Sequence, residues 1–330
     1  MQKGSQARLT SVSKSVLLGS GTYATVWLGR FQGKSCAVKE AKADAAKPLD
    51  NELQVFSLES LSHPNVVSVM GFWDDPSKPG GPPCIVMEYC EMSLPEYLRE
   101  NKGALKRSHG SSSATEIKIQ ILLQVVRALI YLHQQDVLHG DLRTSNVLIQ
   151  RESMECDVPL VKIADYGFCQ RVDPRTKARR ANIMCEVDFL PPEMLCDSSS
   201  VLKNATLTPQ VDVFMFGDVA LETVTLEPVS RVGKVSESKS GPGERVILSE
   251  VERRTASFRK ITQLGDKDAF IQLISSCLAE KPEQRLSTPD IEDMLQSHLS
   301  YYQENPNAGE RQDKAVSPGL GFLYHARTTD

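Results

Sequence analysis

The segment from His139 to Asn146, His-Gly-Asp-Leu-Arg-Thr-Ser-Asn, constrains this chain more than any other, because it sets polar side chains between a predicted helix and an apolar strand. Ionised Asp141 has only acceptor oxygens, so it can orient a hydroxyl group and take its proton. Asn146 offers an amide oxygen, and Asp165, further along the chain, offers a carboxylate. Both are hard oxygen ligands of the kind that magnesium takes beside phosphate groups. The pattern therefore predicts a magnesium and phosphate site that can act on a hydroxyl group.

Composition narrows the class of protein. With 330 residues, a formal net charge of -4 and 40% hydrophobic residues, the chain fits a soluble globular protein with one large domain or two lobes around a cleft. The charge argues against nucleic-acid binding as its main activity. Eight cysteines without paired metal-type spacing indicate reduced thiols in an intracellular protein. We expect it in the cytoplasm, with the nucleus as an additional compartment.

We expect no membrane association. The first residues begin no apolar signal core, and Gln2 is incompatible with N-myristoylation. The most apolar run, residues 117–132, is interrupted by Lys118, Gln120, Gln124 and Arg127, so we do not expect it to span a membrane.

The N-terminal part predicts a strand, a glycine turn and a strand. Residues 1–13 are Ser, Thr and Gln-rich and are expected to be disordered. A strand is predicted to begin at Val16–Leu18, residues 19–24 to form a tight turn, and Val26–Arg30 to form the second, antiparallel strand. Glycine lets backbone N–H groups approach a phosphate closely. Taken alone, an ordinary glycine hairpin is the simpler interpretation, and a Rossmann site is disfavoured because no helix follows.

The remaining helices, strands and insertions are predicted from hydrophobic periodicity and from the positions of loop-forming residues. Apolar residues from Ile119 to Leu132 recur at helical spacing and predict a core-facing helix, and Thr115 is expected to cap it. Further strands are predicted at 35–39 and 85–90, and an amphipathic helix at 50–62. Insertions are expected at 101–114, 198–208 and 229–244, with a flexible tail at 301–330.

Read in order, these motifs resemble those of the eukaryotic protein kinases. Residues 139–146 resemble H-R-D-L-x-x-x-N, and residues 165–167 resemble D-F-G. The departures are Gly140 for Arg, Tyr166 for Phe, Ala24 for the third loop glycine, Pro191 for Ala, and Cys185-Glu186 where Gly-Thr is usual. The other matches are Gly19, Gly21 and Val26 of the glycine loop, Ala37-Val38-Lys39, Phe189 to Glu193 for A-P-E, Val211 to Gly217, and Lys281 to Arg285.

The resemblance implies an α+β, two-lobed protein kinase fold with ATP in the cleft. The small β-rich lobe would span residues 14–90 and the larger, mainly helical lobe residues 91–300. Lys39 would hold the nucleotide phosphates and be positioned by Glu52, with Glu59 as the alternative partner. The full predicted nucleotide site is Leu18, Gly19, Ser20, Gly21, Thr22, Tyr23, Ala24, Thr25, Val26, Ala37, Lys39, Glu52, Met87, Glu88, Cys90 and Leu148, with Met87 as gatekeeper and the backbones of Glu88 and Cys90 bonding adenine.

The resemblance also assigns roles around the reaction. Asp141 would orient the acceptor hydroxyl, and Arg143 would meet the γ-phosphate as a planar cation. Asn146 and Asp165 would hold Mg²⁺. Two further expectations are structural: Asp212 would accept backbone bonds from the catalytic loop, and Arg285 would pair with Glu193.

The activity implied is transfer of the γ-phosphoryl group to protein substrates, with Ser/Thr favoured because no Trp precedes Pro191. The Asp-Tyr-Gly triplet resembles Roco-type and tyrosine-kinase-like kinases. The alternative is a pseudokinase scaffold, suggested by Gly140, Cys185 and Glu186, since Glu186 would bring a like charge near Asp141. A non-kinase nucleotide-binding module is a second alternative. Partners other than substrate could bind the insertions at 101–114 and 229–244.

The activation segment, residues 165–193, raises a question of regulation. Because Gly140 replaces the arginine that binds an activation-loop phosphate in the family, we predict that activity does not depend on phosphorylation of Thr176. A solvated loop is the simpler interpretation of the basic residues there, and a contact surface for an acidic partner is the alternative. Those residues are Arg171, Arg175, Lys177, Arg179 and Arg180.

Overall fold

The computed structural model describes residues 8–42, 52, 61–81, 83–106, 114–150, 158–180, 190–194, 206–228 and 267–305. Its N-terminal part is a five-stranded antiparallel sheet in the order β1-β2-β3-β5-β4. The strands are β1 (Ser13–Ser20), β2 (Ala24–Phe31), β3 (Lys34–Ala41), β4 (Val69–Trp73) and β5 (Cys84–Glu88).

Alternation along β3 explains how this sheet has two apolar faces. Ala37 and Lys39 point to the side that carries Ile85 and Met87 and that meets the rest of the protein. Cys36 and Val38 point to the opposite side. Because side chains of a strand alternate between faces, one strand contributes to both cores.

The outer face is covered by the N-terminal segment. The prediction of disorder is wrong for residues 8–13. Leu9 donates its N–H to the carbonyl oxygen of Phe72 at 2.7 Å, and Val12 is buried. Lys14 lies 5.8 Å from the ring centre of Trp27 and 5.7 Å from that of Trp73. These contacts join residues far apart in sequence, which a local composition argument cannot detect.

The C-terminal part is mainly helical. Its helices are α1 (Leu94–Glu100), α2 (Lys102–Lys106), α3 (Ala114–Gln134), α4 (Pro209–Thr225), α5 (Lys267–Cys277) and α6 (Thr288–Glu304). The predicted apolar stripe of α3 is confirmed, since Ile119, Leu122, Val126, Leu129 and Leu132 are all fully buried. They belong to one large core that also takes in most of α4.

Short strands line the boundary between the two parts. They are β6 (Met92–Ser93), β7 (Val137–Leu138), β8 (Val147–Gln150), β9 (Leu160–Ile163), β10 (Gln170–Arg171), β11 (Arg179–Arg180) and β12 (Thr206–Leu207). β6, β8 and β9 form one sheet, β7 pairs with β10, and β11 pairs with β12. A single 3₁₀ turn, Thr144–Asn146, leads directly into β8.

Three boundaries differ from prediction. Residues 102–106 of the expected insertion form α2, because Leu105 is buried against the core. Thr115 lies inside α3 and does not precede it. The expected tail at 301 begins later, since α6 continues to Glu304 with Tyr302 buried.

The predicted fold class is confirmed: a β-sheet lobe precedes a helical lobe. Of the helix predicted at 50–62, only Glu52, which is helical, and the last two residues, which are not, lie among the described residues; Glu59 lies outside them. Within the described part of the chain, no helix combines the length and apolarity needed to cross a membrane.

Candidate active site

Lys39 joins the two lobes at the centre of the cleft. Its Nζ lies 2.7 Å from Oε2 of Glu52 and 2.8 Å from Oδ1 of Asp165. Glu52 also accepts the N–H of Tyr166 at 3.4 Å. Lys39 and Glu52 are buried, whereas the Asp165 side chain keeps 39% of its surface exposed. One ammonium group thus connects β3, Glu52 and the turn after β9.

Within this cluster the electrostatic environment favours the charged forms of Lys39 and Asp165, whereas burial raises the pKa of Glu52. Burial alone would lower the pKa of Lys39, but the carboxylates of Glu52 and Asp165 outweigh it and raise that pKa. Burial likewise opposes ionisation of Asp165, yet Lys39 holds the pKa of that carboxyl below its usual value. A fixed cation beside an ionised, partly exposed carboxylate is suited to positioning a polyphosphate with its metal.

Asp141 and Asn146 lie within hydrogen-bond distance. Nδ2 of Asn146 donates to the backbone oxygen of Asp141 at 2.7 Å and to its Oδ2 at 2.9 Å. Nη2 of Arg143 lies 3.3 Å from the same Oδ2. The N–H of Ala164, just before Asp165, donates to the carbonyl oxygen of Asn146 at 2.8 Å. The two acidic motifs are therefore held in fixed relation.

A buried carboxylate fixes the start of this loop, as predicted. Asp212, fully buried in α4, accepts the backbone N–H groups of His139 and Gly140, each at 2.9 Å. Its Oδ2 also lies 2.8 Å from Nε2 of His133. Burial opposes the charged form, but the bond from His133 helps to hold the pKa of Asp212 below its usual value. An ionised carboxylate at this point stiffens the loop that carries Asp141.

Gly140 meets a steric requirement in this chain. Its φ of +74° lies in the left-handed region, where a side chain is strained. A Cβ there would lie only 2.6 Å from the carbonyl oxygen of Phe168. The glycine thus allows the activation segment to pack directly against the catalytic loop.

The donor set fits magnesium held partly by substrate. Among the described residues, no three His, Cys, Asp or Glu side chains cluster as a metal cage. The amide nitrogen of Asn146 is used by Asp141, which leaves its amide oxygen for a cation, and Asp165 adds a carboxylate. Magnesium commonly takes one or two such ligands and completes its shell with phosphate and water.

An apolar floor lies on the cleft side of the sheet. The predicted residues Ala37 and Met87 belong to one buried cluster, against which Val26, Cys90 and Leu148 pack. Such a surface suits a flat heterocycle, which needs apolar contact on its faces and a few polar groups at its edge. Ala164 belongs to the same cluster and was not predicted, because a small residue before Asp165 gives no local signal.

The glycine turn of the predicted nucleotide site is corrected. The turn predicted at residues 19–24 is shorter, since Gly19 and Ser20 remain paired in β1 with Val26 and Thr25. We therefore define the glycine turn as Gly21–Tyr23. Leu18 precedes it in β1, and Ala24 begins β2.

Glu88 has a role beyond the predicted backbone contact. Its N–H donates to the carbonyl oxygen of Ser68 at 3.0 Å, so only its carbonyl can serve adenine. Its side chain lies 3.1 Å from Nζ of Lys162, which also donates to the carbonyl oxygen of Pro64 at 2.8 Å. Lys162 was missed because nothing in its local sequence distinguishes it from an exposed strand lysine.

The activation segment is described through Arg180 and again from Leu190. Asp173 accepts the N–H groups of Arg175 and Thr176, each at 2.9 Å, so this turn is ordered by its own residues. Cys185 and Glu186 lie outside the described residues. At the far end, the predicted pair of Arg285 and Glu193 is present, with nitrogen–oxygen distances of 2.7 and 2.6 Å.

Comparison with known proteins defines the class. Residues 12–299 match the family described as protein kinase domain. The chain therefore belongs to the protein kinase family.

Its relatives are kinases at low identity. The chain is 27% identical over 223 residues to "Probable receptor-like protein kinase" of Arabidopsis thaliana and 25% identical over 302 residues to "Probable serine/threonine-protein kinase kinY" of Dictyostelium discoideum. It is 27% identical over 217 residues to mitogen-activated protein kinase kinase kinase 13 of Pongo abelii. These matches cover 64%, 86% and 66% of this chain but only 59%, 47% and 19% of the three relatives.

Proposed function

We propose that this protein transfers the γ-phosphoryl group of ATP to serine or threonine hydroxyls of protein substrates, with Mg²⁺ as the metal. The observation that carries the proposal is a pair of linked contacts. Lys39 bonds to Asp165 at 2.8 Å, Asn146 bonds to Asp141 at 2.7 and 2.9 Å, and the backbone bond from Ala164 to Asn146 at 2.8 Å joins the two. Phosphoryl transfer depends mainly on positioning and charge neutralisation, and these four side chains supply both.

In this mechanism the acceptor hydroxyl donates its proton to Asp141. The hydroxyl oxygen bonds to the γ-phosphorus, the bond from that phosphorus to the β–γ bridging oxygen breaks, and ADP leaves. Lys39 would bind phosphate oxygens. The 3.3 Å distance from Nη2 of Arg143 to Asp141 supports a contact between Arg143 and the transferred group. Asn146 and Asp165 would hold the magnesium ion, which neutralises phosphate charge.

A cavity beside the catalytic loop supports a protein acceptor. It encloses about 600 Å³, and its wall includes Arg143, Thr144 and Ser145 of the loop. Helices α1 and α4 supply an apolar floor of Leu98 and Val219. Arg143 of this wall lies 3.3 Å from Oδ2 of Asp141, so a polypeptide in the cavity would be close to the group that receives the hydroxyl proton.

The test uses labelled ATP, magnesium and a peptide library, with wild type compared with Asp141→Asn. We expect phosphoserine and phosphothreonine in the wild-type products and a loss of at least about a hundredfold in the variant. Label found only on tyrosine would overturn the acceptor assignment.

The second candidate is a scaffold that binds nucleotide without useful transfer. The observation in its favour is Gly140, which removes a basic residue beside the catalytic Asp. In that case wild type and Asp141→Asn incorporate equally little label, while ATP still raises the melting temperature of both.

A further inference from the structure

Two aromatic rings meet across the front of the cleft. The ring centres of Tyr23 and Phe168 are 5.6 Å apart, with the rings at 70° to each other. Tyr23 belongs to the glycine turn of the sheet lobe. Phe168 follows Asp165 closely in the chain and packs against the core of the helical lobe. An edge-to-face contact therefore connects the lobes beside the proposed phosphate site.

The glycine turn is braced from its own lobe. The N–H of Gly21 donates to the carbonyl oxygen of Ala24 at 2.9 Å. Nζ of Lys42 donates to the carbonyl oxygen of Gly21 at 2.5 Å. The backbone N–H of Lys42 donates to the carbonyl oxygen of Tyr23 at 2.9 Å. Tyr23 is thus presented by a turn whose backbone is already ordered.

Phe168 is fixed from the other side by Gly140. Its carbonyl oxygen occupies the space that a Cβ at residue 140 would need, at 2.6 Å. The position of Phe168 therefore depends on the absence of a side chain in the catalytic loop. The same residue that departs from the family pattern makes room for the aromatic contact.

We propose that Tyr23 and Phe168 form an aromatic latch that holds the glycine turn closed over the nucleotide phosphates. Closure slows nucleotide release and excludes water from the γ-phosphate, so transfer to a protein hydroxyl is favoured over hydrolysis. The latch residues position the turn and take no part in bond making. The proposal rests on the proposed nucleotide-binding function, and its test separates the two.

The experiment measures the release rate of a fluorescent ATP analogue, with magnesium present, from wild type, Tyr23→Ala, Phe168→Ala and the double variant. A lost aromatic pair should speed release about three- to tenfold in each single variant. The double variant should release no faster than the faster single one, because both changes break one contact. Tyr23→Phe should restore slow release, and Tyr301→Ala, at an exposed aromatic residue far along α6, should match wild type.

A second readout is the ratio of ATP hydrolysis to peptide phosphorylation, which should rise in Tyr23→Ala and return in Tyr23→Phe. Unchanged release in Tyr23→Ala, or full additivity of the two single effects, overturns the latch. Should Phe168→Ala fail to fold, as judged by its melting curve, the comparison of Tyr23→Ala with Tyr23→Phe still decides.

The latch and the kinase activity can fail separately. A wild type that binds the analogue but phosphorylates no peptide contradicts the transfer proposal, while its release rates still test the latch. A wild type that does not bind the analogue overturns both.

Discussion

Arg285 forms two parallel hydrogen bonds to Glu193, from Nη1 to Oε1 at 2.7 Å and from Nη2 to Oε2 at 2.6 Å. The guanidinium group has no exposed surface and also lies 4.9 Å from the ring centre of Phe214. It donates further to the carbonyl oxygens of Ala279 and Gln210, each at 2.9 Å. The pair ties the end of the activation segment to α4 and to the turn that precedes α6.

We expect Glu193→Ala to destabilise the protein by about 3 to 5 kcal/mol, because it leaves a buried cation without its partner. The matched control is Glu292→Ala, which removes the exposed pair with Arg127 at 2.8 Å and should cost less than about 1 kcal/mol. Denaturant unfolding of both variants measures the difference. Equal losses would contradict a structural role for the Arg285 pair.

Gly140→Ala should destabilise the protein by at least about 2 kcal/mol, since it combines a left-handed φ with a clash against Phe168. Gly33→Ala is the control: its φ of +77° is similar, but a Cβ there meets nothing within 4 Å. It should cost only about 1 kcal/mol. The excess loss at Gly140, measured by chemical unfolding, reports the contact with Phe168. No excess would mean that the catalytic loop can move away from Phe168 at little cost.

Acid should weaken the ion pair between Lys14 and Asp75, because it protonates the Asp75 carboxylate. Burial opposes its charge, but bonds from Lys14 and Ser77 lower its pKa from 3.8 to about 2. A carboxyl group with a lowered folded-state pKa adds stability above its unfolded pKa, and this stability is lost as pH falls through the folded value. The loss should therefore occur between about pH 4 and pH 2, and we expect it to be about 1 kcal/mol.

The measurement for Asp75 is the unfolding free energy from pH 5 to pH 2 for wild type and Asp75→Asn. The variant should lack the part of the slope below pH 4. Asp74→Asn, at a neighbouring carboxylate with 55% of its side chain exposed, should retain it. A full wild-type slope in Asp75→Asn would show that Lys14 does not hold this carboxylate.

Thr176→Ala should reduce transfer by less than about tenfold. The turn is already ordered by Asp173, which accepts the N–H groups of Arg175 and Thr176, and Gly140 offers no cation for a phosphate. Initial rates on a peptide substrate measure the effect. A larger loss would show that a phosphate on Thr176 organises the segment through other basic residues.

Much of the fold could be predicted from the sequence, because its signals are local. The spacing from Asp141 to Asn146, and the position of Asp165 after a strand, predict residues that the structure brings close together: Asn146 bonds to Asp141, and Ala164, next to Asp165, bonds to Asn146. The apolar period of α3 predicted a buried helix. Asp212 and Arg285 were assigned by motif, and the structure gives them the expected partners.

What could not be predicted depends on contacts between distant residues. Leu9 bonds to Phe72 and Val12 is buried, so residues 8–13 are ordered despite their polar composition. Leu105 orders α2 by packing against the core, although the surrounding residues resemble a linker. The contact of Tyr23 with Phe168 joins two lobes, and neither residue carries a signal for the other.

The proposed activity requires Lys39, Asp141, Asn146 and Asp165 to act on one magnesium-bound triphosphate. The most direct test is the single-turnover rate of γ-phosphoryl transfer at saturating ATP, with and without magnesium, for wild type and Asp165→Asn. We predict rapid transfer only by wild type with magnesium, and a loss of at least about a hundredfold in the variant or without the metal. Equal rates in wild type and Asp165→Asn, or transfer that persists without a divalent cation, would show that these residues do not support magnesium-dependent transfer.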